Sequence, residues 1–307
     1  HWMVHSFPTR RSSDLLVADG CFVRVLDNLL TGKRSNLASV MDQIEFIEAD
    51  MGEPEVARAA MQGIDVVLHE GALPSVPRSV DDPVSSHRHC VDATFALLVA
   101  ARDARVKRFV YAASSSAYGD TPTLPKVETI RPDPLSPYAV GKLVGEHYCS
   151  VFAKVYGLET IALRYFNVFG PQQDPASQYA AAIPAFVTSI LRDQPPTIYG
   201  DGEQSRDFTY IDNVVHANLL AARAARTAGQ VVNVACGEAV TVNAIIAMIN
   251  RLLGKNVKPN YVPARVGDVK HSLADIAAAR KLIGFEPVVP FRQGLEKSID
   301  WYRKNLA

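Results

Sequence analysis

Short β-branched runs alternate with amphipathic stretches along most of this chain, and that rhythm restricts the fold more than any other feature. Residues 22–26, 44–47, 64–69, 108–113, 160–164 and 231–234 are dominated by Val, Ile, Leu, Phe and Ala. A strand with one wet face alternates polar and apolar residues, whereas a parallel strand covered by helices on both faces can be apolar throughout. These runs therefore read as buried parallel strands. Between them, Val91, Phe95, Leu98 and Arg102 recur every three or four residues and predict one side of a helix. The alternation predicts the α/β class with a doubly wound parallel sheet.

A second helix is marked by Ser136 as N-cap and Pro137 at the first helical position; it runs through Val151 and meets Gly157 where a C-terminal glycine belongs. After Gly170 the rhythm gives way to segments rich in proline, glycine and glutamine, 171–178 and 195–202, and a helical segment closes the chain around 295–302. The expected division is a sheet domain over 16–170, rejoined by 207–235, and a smaller C-terminal lobe from 171–206 and 236–307. Neither an internal repeat nor a low-complexity segment occurs, which sets aside a solenoid.

Residues 1–15 do not fit this pattern. They show neither strand alternation nor a glycine, whereas a doubly wound fold should start with a strand, a glycine-rich turn and a helix whose N-terminal amides hold a pyrophosphate. Residues 7–15 also match what a common sequencing-library adapter would encode in one reading frame. The expectation is that 1–15 is a foreign segment and that the first strand and its glycine-rich turn are missing or replaced.

Charge excludes some functions. Lysine plus arginine equal aspartate plus glutamate at 32 each, so no overall field draws the chain to nucleic acid or to an anionic membrane. Cys21, Cys90, Cys149 and Cys236 lie far apart without a C-x-x-C pair, which predicts reduced thiols, no metal and a cytoplasmic setting. The apolar stretches are too short to span a bilayer, and the N-terminus has no secretory apolar region.

The chemistry concentrates in Ser136-Pro137-Tyr138-Ala139-Val140-Gly141-Lys142, where a spacing of four sets Tyr138 and Lys142 on one helix face. A tyrosine titrating near roughly 10 is a poor base at neutral pH, but an adjacent ammonium and a bound cofactor cation would favour its phenolate. Tyr138 could then remove a hydroxyl proton. A bare Y-x-x-x-K is common in structural helices, so its companions matter. Ser114, Ser115 and Ser116 follow the strand beginning at Arg108, at the ligand-binding carboxyl end of such a sheet. Asp27 closes the second strand, and Arg164-Tyr165-Phe166-Asn167-Val168-Phe169-Gly170-Pro171 follows a later one.

With these motifs, residues 16–307 resemble the extended short-chain dehydrogenase/reductases and, within them, the UDP-hexose 4-epimerases, especially the branch acting on UDP-N-acetylglucosamine. The resemblance implies a Rossmann-like sheet domain that binds NAD and a substrate lobe that takes the UDP-sugar. It makes Tyr138 the base, Lys142 the holder of the ribose hydroxyls that also lowers the tyrosine pKa, and Ser114 a hydrogen-bond partner of the reacting oxygen. For the cofactor it implies Asp27 on the adenosine ribose, which favours NAD over NADP, with Asn28, Thr31 and Gly32 on the same edge and Asp50 and Met51 at the adenine. Glu70, Gly71 and Ala72 let the backbone approach, and Tyr165 lies by the nicotinamide. For the UDP-sugar it implies Ser115 and Ser116 in support, Asn167, Tyr199 and Arg206 on the nucleotide, and Arg265 and Asp268 as a second diphosphate and ribose clamp. Gln173, Ala181 and a small Ser272 match the N-acetyl-sugar branch.

Two departures stand out: the absent glycine-rich turn, and Cys90 where the family has a helix asparagine, which reads as a packing choice. His69 likewise reads as structural. The expected activity is inversion at C4 by transient oxidation with tightly held NAD, serving polysaccharide biosynthesis, in a homodimer built on the helices around 95–104 and Tyr138. Two alternatives stay open: a nucleotide-sugar dehydratase or decarboxylase on the same scaffold, and a non-catalytic nucleotide-binding protein.

Overall fold

The computed structural model describes residues 1–4, 9–173, 182–264 and 269–306. Seven strands form one wholly parallel sheet: β1 (Trp2–Val4), β2 (Val23–Asp27), β3 (Glu45–Glu48), β4 (Val66–His69), β5 (Arg108–Ser114), β6 (Glu159–Tyr165) and β7 (Gln230–Val234). Their spatial order is β3-β2-β1-β4-β5-β6-β7. Winding reverses between β1 and β4, and a crevice opens outside the carboxyl ends of such a sheet at that point. The six apolar runs all became strands, within one or two residues of their expected ends.

The first strand, expected to be missing or replaced, is present and occupies the middle of the sheet. Trp2, Met3 and Val4 pair with Val23, Arg24 and Val25 on one side and with Val66, Val67 and Leu68 on the other. Three residues suffice because both neighbouring strands supply ladder partners, and three residues are too few to display a period in the sequence. Met3 is fully buried in one cluster with Leu26, Val67 and Phe109. Helix α1 (Thr9–Ala18) follows, with Leu16 buried in a cluster with Val23, Val25 and Ala221. Ser12 and Ser13 are buried as well, and neither hydroxyl has a hydrogen-bond partner among the described residues. The chain has no glycine before Gly20, and residues 5–8, between β1 and α1, lie outside the described residues.

Helix α2 (Ala93–Asp103) buries only part of the side marked by Val91, Phe95, Leu98 and Arg102. Thr94, Leu97, Leu98 and Ala101 are inside, while Phe95 is 42% exposed. Arg88–Asp92 forms a π-helical turn ahead of it, and the extra residue in that turn takes Val91 out of register with the residues that follow. Cys90 lies in this turn as a packing residue, 1% exposed. His69 is also structural in its contacts, its Nε2 standing 2.9 Å from Thr94 Oγ1 in the interior.

Helix α3 (Pro137–Tyr156) starts and stops as its sequence dictates. Ser136 Oγ accepts the Ala139 N–H at 3.2 Å, Pro137 opens the first turn, and Gly157 closes the last at φ 72°. Two glycines let α3 come close to its neighbours. A Cβ on Gly141 would stand 2.9 Å from Cys90 Cβ, and one on Gly145 would collide with the Tyr111 ring on β5. One turn beyond Lys142, Glu146 receives a bidentate bond from Arg164 of β6, with N–O distances of 2.8 and 2.7 Å. Both residues are 3% exposed, and the guanidinium carbon lies 4.5 Å from the Tyr118 ring centroid.

A second core gathers Phe169, Phe208, Tyr210, Phe291, Leu295 and Tyr302, bringing together helices α4 (Ile211–Arg223), α5 (Val242–Leu253) and α6 (Phe291–Leu306). Asp207, fully buried, ties this region together by accepting the N–H groups of Cys236 and Gly237 at 3.0 Å and of Ala274 at 3.2 Å. Ala279, Ile283 and Phe285 pack instead with the sheet cluster containing Val23 and Val232. Among the described residues no helix is long and apolar enough to cross a membrane.

Removing one half of the buried pair should cost more than removing both. Glu146→Gln leaves the Arg164 guanidinium uncompensated and is expected to lower unfolding free energy by about 3–5 kcal/mol in urea titrations. Replacing Glu146 and Arg164 together by Met should recover most of that loss; equal losses in the single and double variants would show that the pair does not anchor α3.

Candidate active site

The carboxyl ends of β4, β5 and β6, the start of α3 and the loops after β6 enclose a cleft of about 650 Å3. It brings together most of the expected site: Thr31, Glu70, Ala72, Ser114, Ser115, Ser116, Tyr138, Lys142, Tyr165, Asn167, Gln173, Arg206 and Ser272 all line it. A small hollow beside it is lined by Asp27, Asn28, Asp50 and Met51, and Thr31 and Ala72 face both spaces. Gly32 sits against Asp27, where a Cβ would stand 3.4 Å from both carboxylate oxygens. Gly71 is buried between Glu70 and Ala72 and lines neither space. Tyr199 does not reach the cleft either: its carbonyl accepts Gln204 Nε2 at 2.7 Å while its residue stays 38% exposed. Ala181, Arg265 and Asp268 lie outside the described residues.

At the centre, one helical turn sets Tyr138 and Lys142 on the same wall. Lys142 Nζ donates to Ala112 O at 2.7 Å and lies 5.0 Å from the Tyr111 ring centroid. Burial draws its ammonium below the usual lysine range. Burial, with the Cys90 thiol and the Glu70 carboxyl nearby, pushes the Tyr138 phenol above its ordinary value, and a hydrogen bond with Ser114 works against that rise. In the chain alone, therefore, Tyr138 is a phenol, and a cation in the cleft is needed to make it a base. Ser114 is itself held: its Oγ accepts Ser116 N at 3.2 Å and Ser116 Oγ at 2.8 Å, so Ser116 aims Ser114 from the turn that ends β5.

Some cleft residues escaped the sequence reading. The Glu70 side chain, treated there only as part of a close-approaching backbone, is 2.8 Å from the Tyr165 hydroxyl, and Asn218 Oδ1 of α4 is 3.0 Å from the same hydroxyl. Asn218 is a polar residue on an otherwise apolar helix face with Val214, Val215 and Ala221, and that interruption was its only signal. Ser75, at φ 109°, caps a short helix by accepting Arg78 N at 3.3 Å; Pro74 and Pro77 on either side give the cleft a stiff wall.

Toward the second core the cleft is polar. Asn167, at φ 35°, donates from Nδ2 to Asp207 O at 2.9 Å. Arg206 Nη1 donates to Ser205 O and Lys270 O at 3.0 Å each, which fixes a guanidinium at this end. Ser272 is 9% exposed, and its N–H bonds Ser205 O at 3.0 Å. Gln173 Nε2 donates to Val168 O at 3.1 Å.

The NAD implied by the resemblance finds suitable groups here. Asp27 ends β2 beside the switch point with one oxygen accepting Leu29 N at 2.7 Å, and Gly32 leaves space that a Cβ would fill beside both oxygens. A carboxylate so placed takes ribose hydroxyls and repels a ribose phosphate. The bond to Ala112 uses one of the three donors of Lys142, so hydroxyls in the cleft can be held by the others.

Comparison with known proteins agrees with this geometry. The family model for the NAD dependent epimerase/dehydratase family matches residues 9–235. The UDP-glucose 4-epimerase of Mycolicibacterium smegmatis is 34% identical over 294 residues, 94% of this chain and 93% of that protein. Among solved structures, the UDP-N-acetylglucosamine 4-epimerase of Methanobrevibacter ruminantium, in complex with UDP-N-acetylmuramic acid, superposes with a TM-score of 0.94 at 37% identity, covering 99% of this chain and 98% of the other. The UDP-glucose 4-epimerase of Thermotoga maritima, with UDP-glucose, gives a TM-score of 0.95 at 34% identity, covering 100% and 99%. A family match over most of the chain, joined to full-length likeness above 30% identity, leads to one conclusion: the chain belongs to the NAD-dependent epimerase/dehydratase family.

Proposed function

We propose that the protein interconverts the C4 epimers of a UDP-hexose and that UDP-GlcNAc and UDP-GalNAc are preferred to UDP-Glc and UDP-Gal. The observation that carries the reaction is the meeting of Tyr138, Lys142 and Ser114 at one wall of a cleft whose far end offers Asn167 and Arg206. NAD, when bound along Asp27, Asn28, Thr31, Gly32, Asp50, Met51, Ala72 and Lys142, supplies reversible oxidation at C4. Tyr138 takes the proton of the sugar 4-hydroxyl and later returns one, Ser114 hydrogen-bonds the same oxygen throughout, and Lys142 supplies the positive charge that favours the phenolate. The hydrogen removed from C4 is restored to the opposite face of the 4-keto sugar, so the reaction has no net redox change.

Arg206 is assigned to the diphosphate, where a guanidinium can fork onto two oxygens. Arg265, Asp268 and Ala181 are assigned to the nucleotide and sugar by resemblance alone. Ser115 and Ser116 bear on the competing reaction: a dehydratase needs an acid beside the proton-transfer site, and these positions are uncharged. The sugar preference rests on Ser272, a small side chain on the cleft wall, and on Gln173, which lines the same cleft.

The same reading places the enzyme in the cytoplasm, in keeping with four free thiols, and makes it a homodimer. Phe95 of α2 packs against Tyr148 of α3 with ring centroids 4.9 Å apart, and Val151, Val155 and Tyr156 extend an exposed apolar surface along α3. Paired with its copy, this surface would close into a four-helix interface.

Three outcomes are expected. In an assay that resolves UDP-hexose epimers, Tyr138→Phe should lower kcat by about 10²–10⁴-fold while leaving UDP-sugar affinity nearly unchanged; undiminished turnover would remove Tyr138 as the base. Ser272→Tyr should cut kcat/KM for UDP-GlcNAc relative to UDP-Glc by about 10–200-fold, and an unchanged ratio would show that this wall does not select the sugar. Light scattering should find a dimer that Phe95→Glu with Val155→Glu converts to a folded monomer, and a monomeric parent would overturn the interface.

A further inference from the structure

Glu70 directly follows β4 on the cleft wall, 6% exposed, and its surroundings raise a question of proton count. The Tyr165 hydroxyl lies 2.8 Å from Glu70 Oε1 and 3.0 Å from Asn218 Oδ1. A phenol has one hydrogen to donate. Asn218 keeps its oxygen toward Tyr165 because its Nδ2 donates to Val214 O at 3.1 Å. With Glu70 ionised, the one Tyr165 hydrogen can serve Glu70 or Asn218 Oδ1 but not both, so a carboxylate that takes it, even with help from the second Asn218 N–H, leaves Asn218 Oδ1 short in the interior. With Glu70 protonated, Glu70 donates to Tyr165, Tyr165 donates to Asn218, and all three are satisfied.

Electrostatics agree with this count. The ionisable groups acting on Glu70 and on the pair it faces are Tyr165 from β6, Tyr138, Lys142, Glu146 and Cys149 from α3, and Cys90 from the turn before α2. Glu146 is neutralised by Arg164 at 2.7 Å, and His69 on β4 is turned to Thr94. Burial pushes the Glu70 carboxyl up to about 7, against the pull of the Tyr165 hydroxyl, the Lys142 ammonium and Asn218. A charged Glu70 in turn makes the Tyr138 phenolate harder to form.

We propose that Glu70 is a positioning residue for the Tyr138–Lys142 pair, carrying a proton in the working form, heading the chain Glu70 to Tyr165 to Asn218, and opposing the Tyr138 phenolate once that proton is lost. This rests on the reading of Tyr138 as the base. On ionisation the carboxyl O–H bond breaks, the proton passes to solvent, and Tyr165 turns its hydrogen from Asn218 to Glu70. Glu70→Gln keeps a donor toward Tyr165 and fixes the neutral state.

Two readouts on the full-length enzyme test this, one of them independent of activity. The folded carboxyl titrates near about 7 and an ordinary glutamate at 4.5, so the stability that Glu70 contributes in neutral form is intact below the lower value and is lost as pH rises to the upper one. The Tm of Glu70→Gln should therefore gain on that of the parent across this window and hold a constant advantage above it; a difference that does not change with pH overturns the proposal. In the pH profile of kcat the parent should show a break near neutral that Glu70→Gln lacks, with the variant about tenfold faster above it if Tyr138 gains one unit of acidity; superimposable profiles also overturn it. If Glu70→Gln does not fold, carboxyl NMR of the parent labelled with 13C-glutamate decides: one resonance titrating near neutral supports the proposal, and all titrating in the ordinary acid range overturns it. A parent that epimerises nothing would sink the function reading alone, and the stability and NMR readouts would still judge Glu70.

Discussion

The site depends on how closely helix α3 can approach the sheet. Gly141 and Gly145 remove the side chains that would strike Cys90 and Tyr111, and the Glu146 to Arg164 pair ties the same helix face to β6. Tyr138, Lys142 and Glu146 follow one another at intervals of four, so anchoring Glu146 sets the direction of the other two. Lys142 then reaches Ala112 O at the end of β5, and Tyr138 meets Ser114, the last residue of that strand. A shift of α3 by the size of one methyl group would separate the Tyr138 hydroxyl from Ser114. Precision in the cleft is thus a consequence of packing beneath it.

Much of this was legible in the sequence. Strands buried on both faces announce themselves by apolar runs, and α3 carries its cap, its proline and its terminating glycine in plain order. Tyr138, Lys142 and Ser114 were legible as well, because a helix face and a strand end are local properties. Contacts between distant segments were not. Nothing in the order of residues says that Glu70, Tyr165 and Asn218 meet, or that a π-helical turn at 88–92 sets Val91 out of register with Phe95 and Leu98. Tyr199, placed by resemblance at the nucleotide, sits at the end of a short strand, Thr197–Tyr199, and is not among the residues that line the cleft.

The start of the chain shows how little sequence a central strand requires. Trp2–Val4 fills the middle of the sheet because its neighbours supply a ladder on each side and a pocket for Met3. The helix after it is less well adapted, with two serine hydroxyls buried without partners among the described residues, each costing about 1–3 kcal/mol. The groups proposed for the cofactor flank the switch point, Asp27 at the end of β2 and Gly32 after it on one side and Ala72 and Lys142 toward β4 and β5 on the other.

The central claim is that C4 is oxidised and reduced again within one closed site. Incubating the purified protein, without added cofactor, with UDP-hexose deuterated at C4 and reading the products by NMR tests it directly. The account predicts a mixture of 4-epimers that both keep deuterium at C4. Loss of the label to solvent, or release of a 4-keto sugar in place of the epimer, would contradict it.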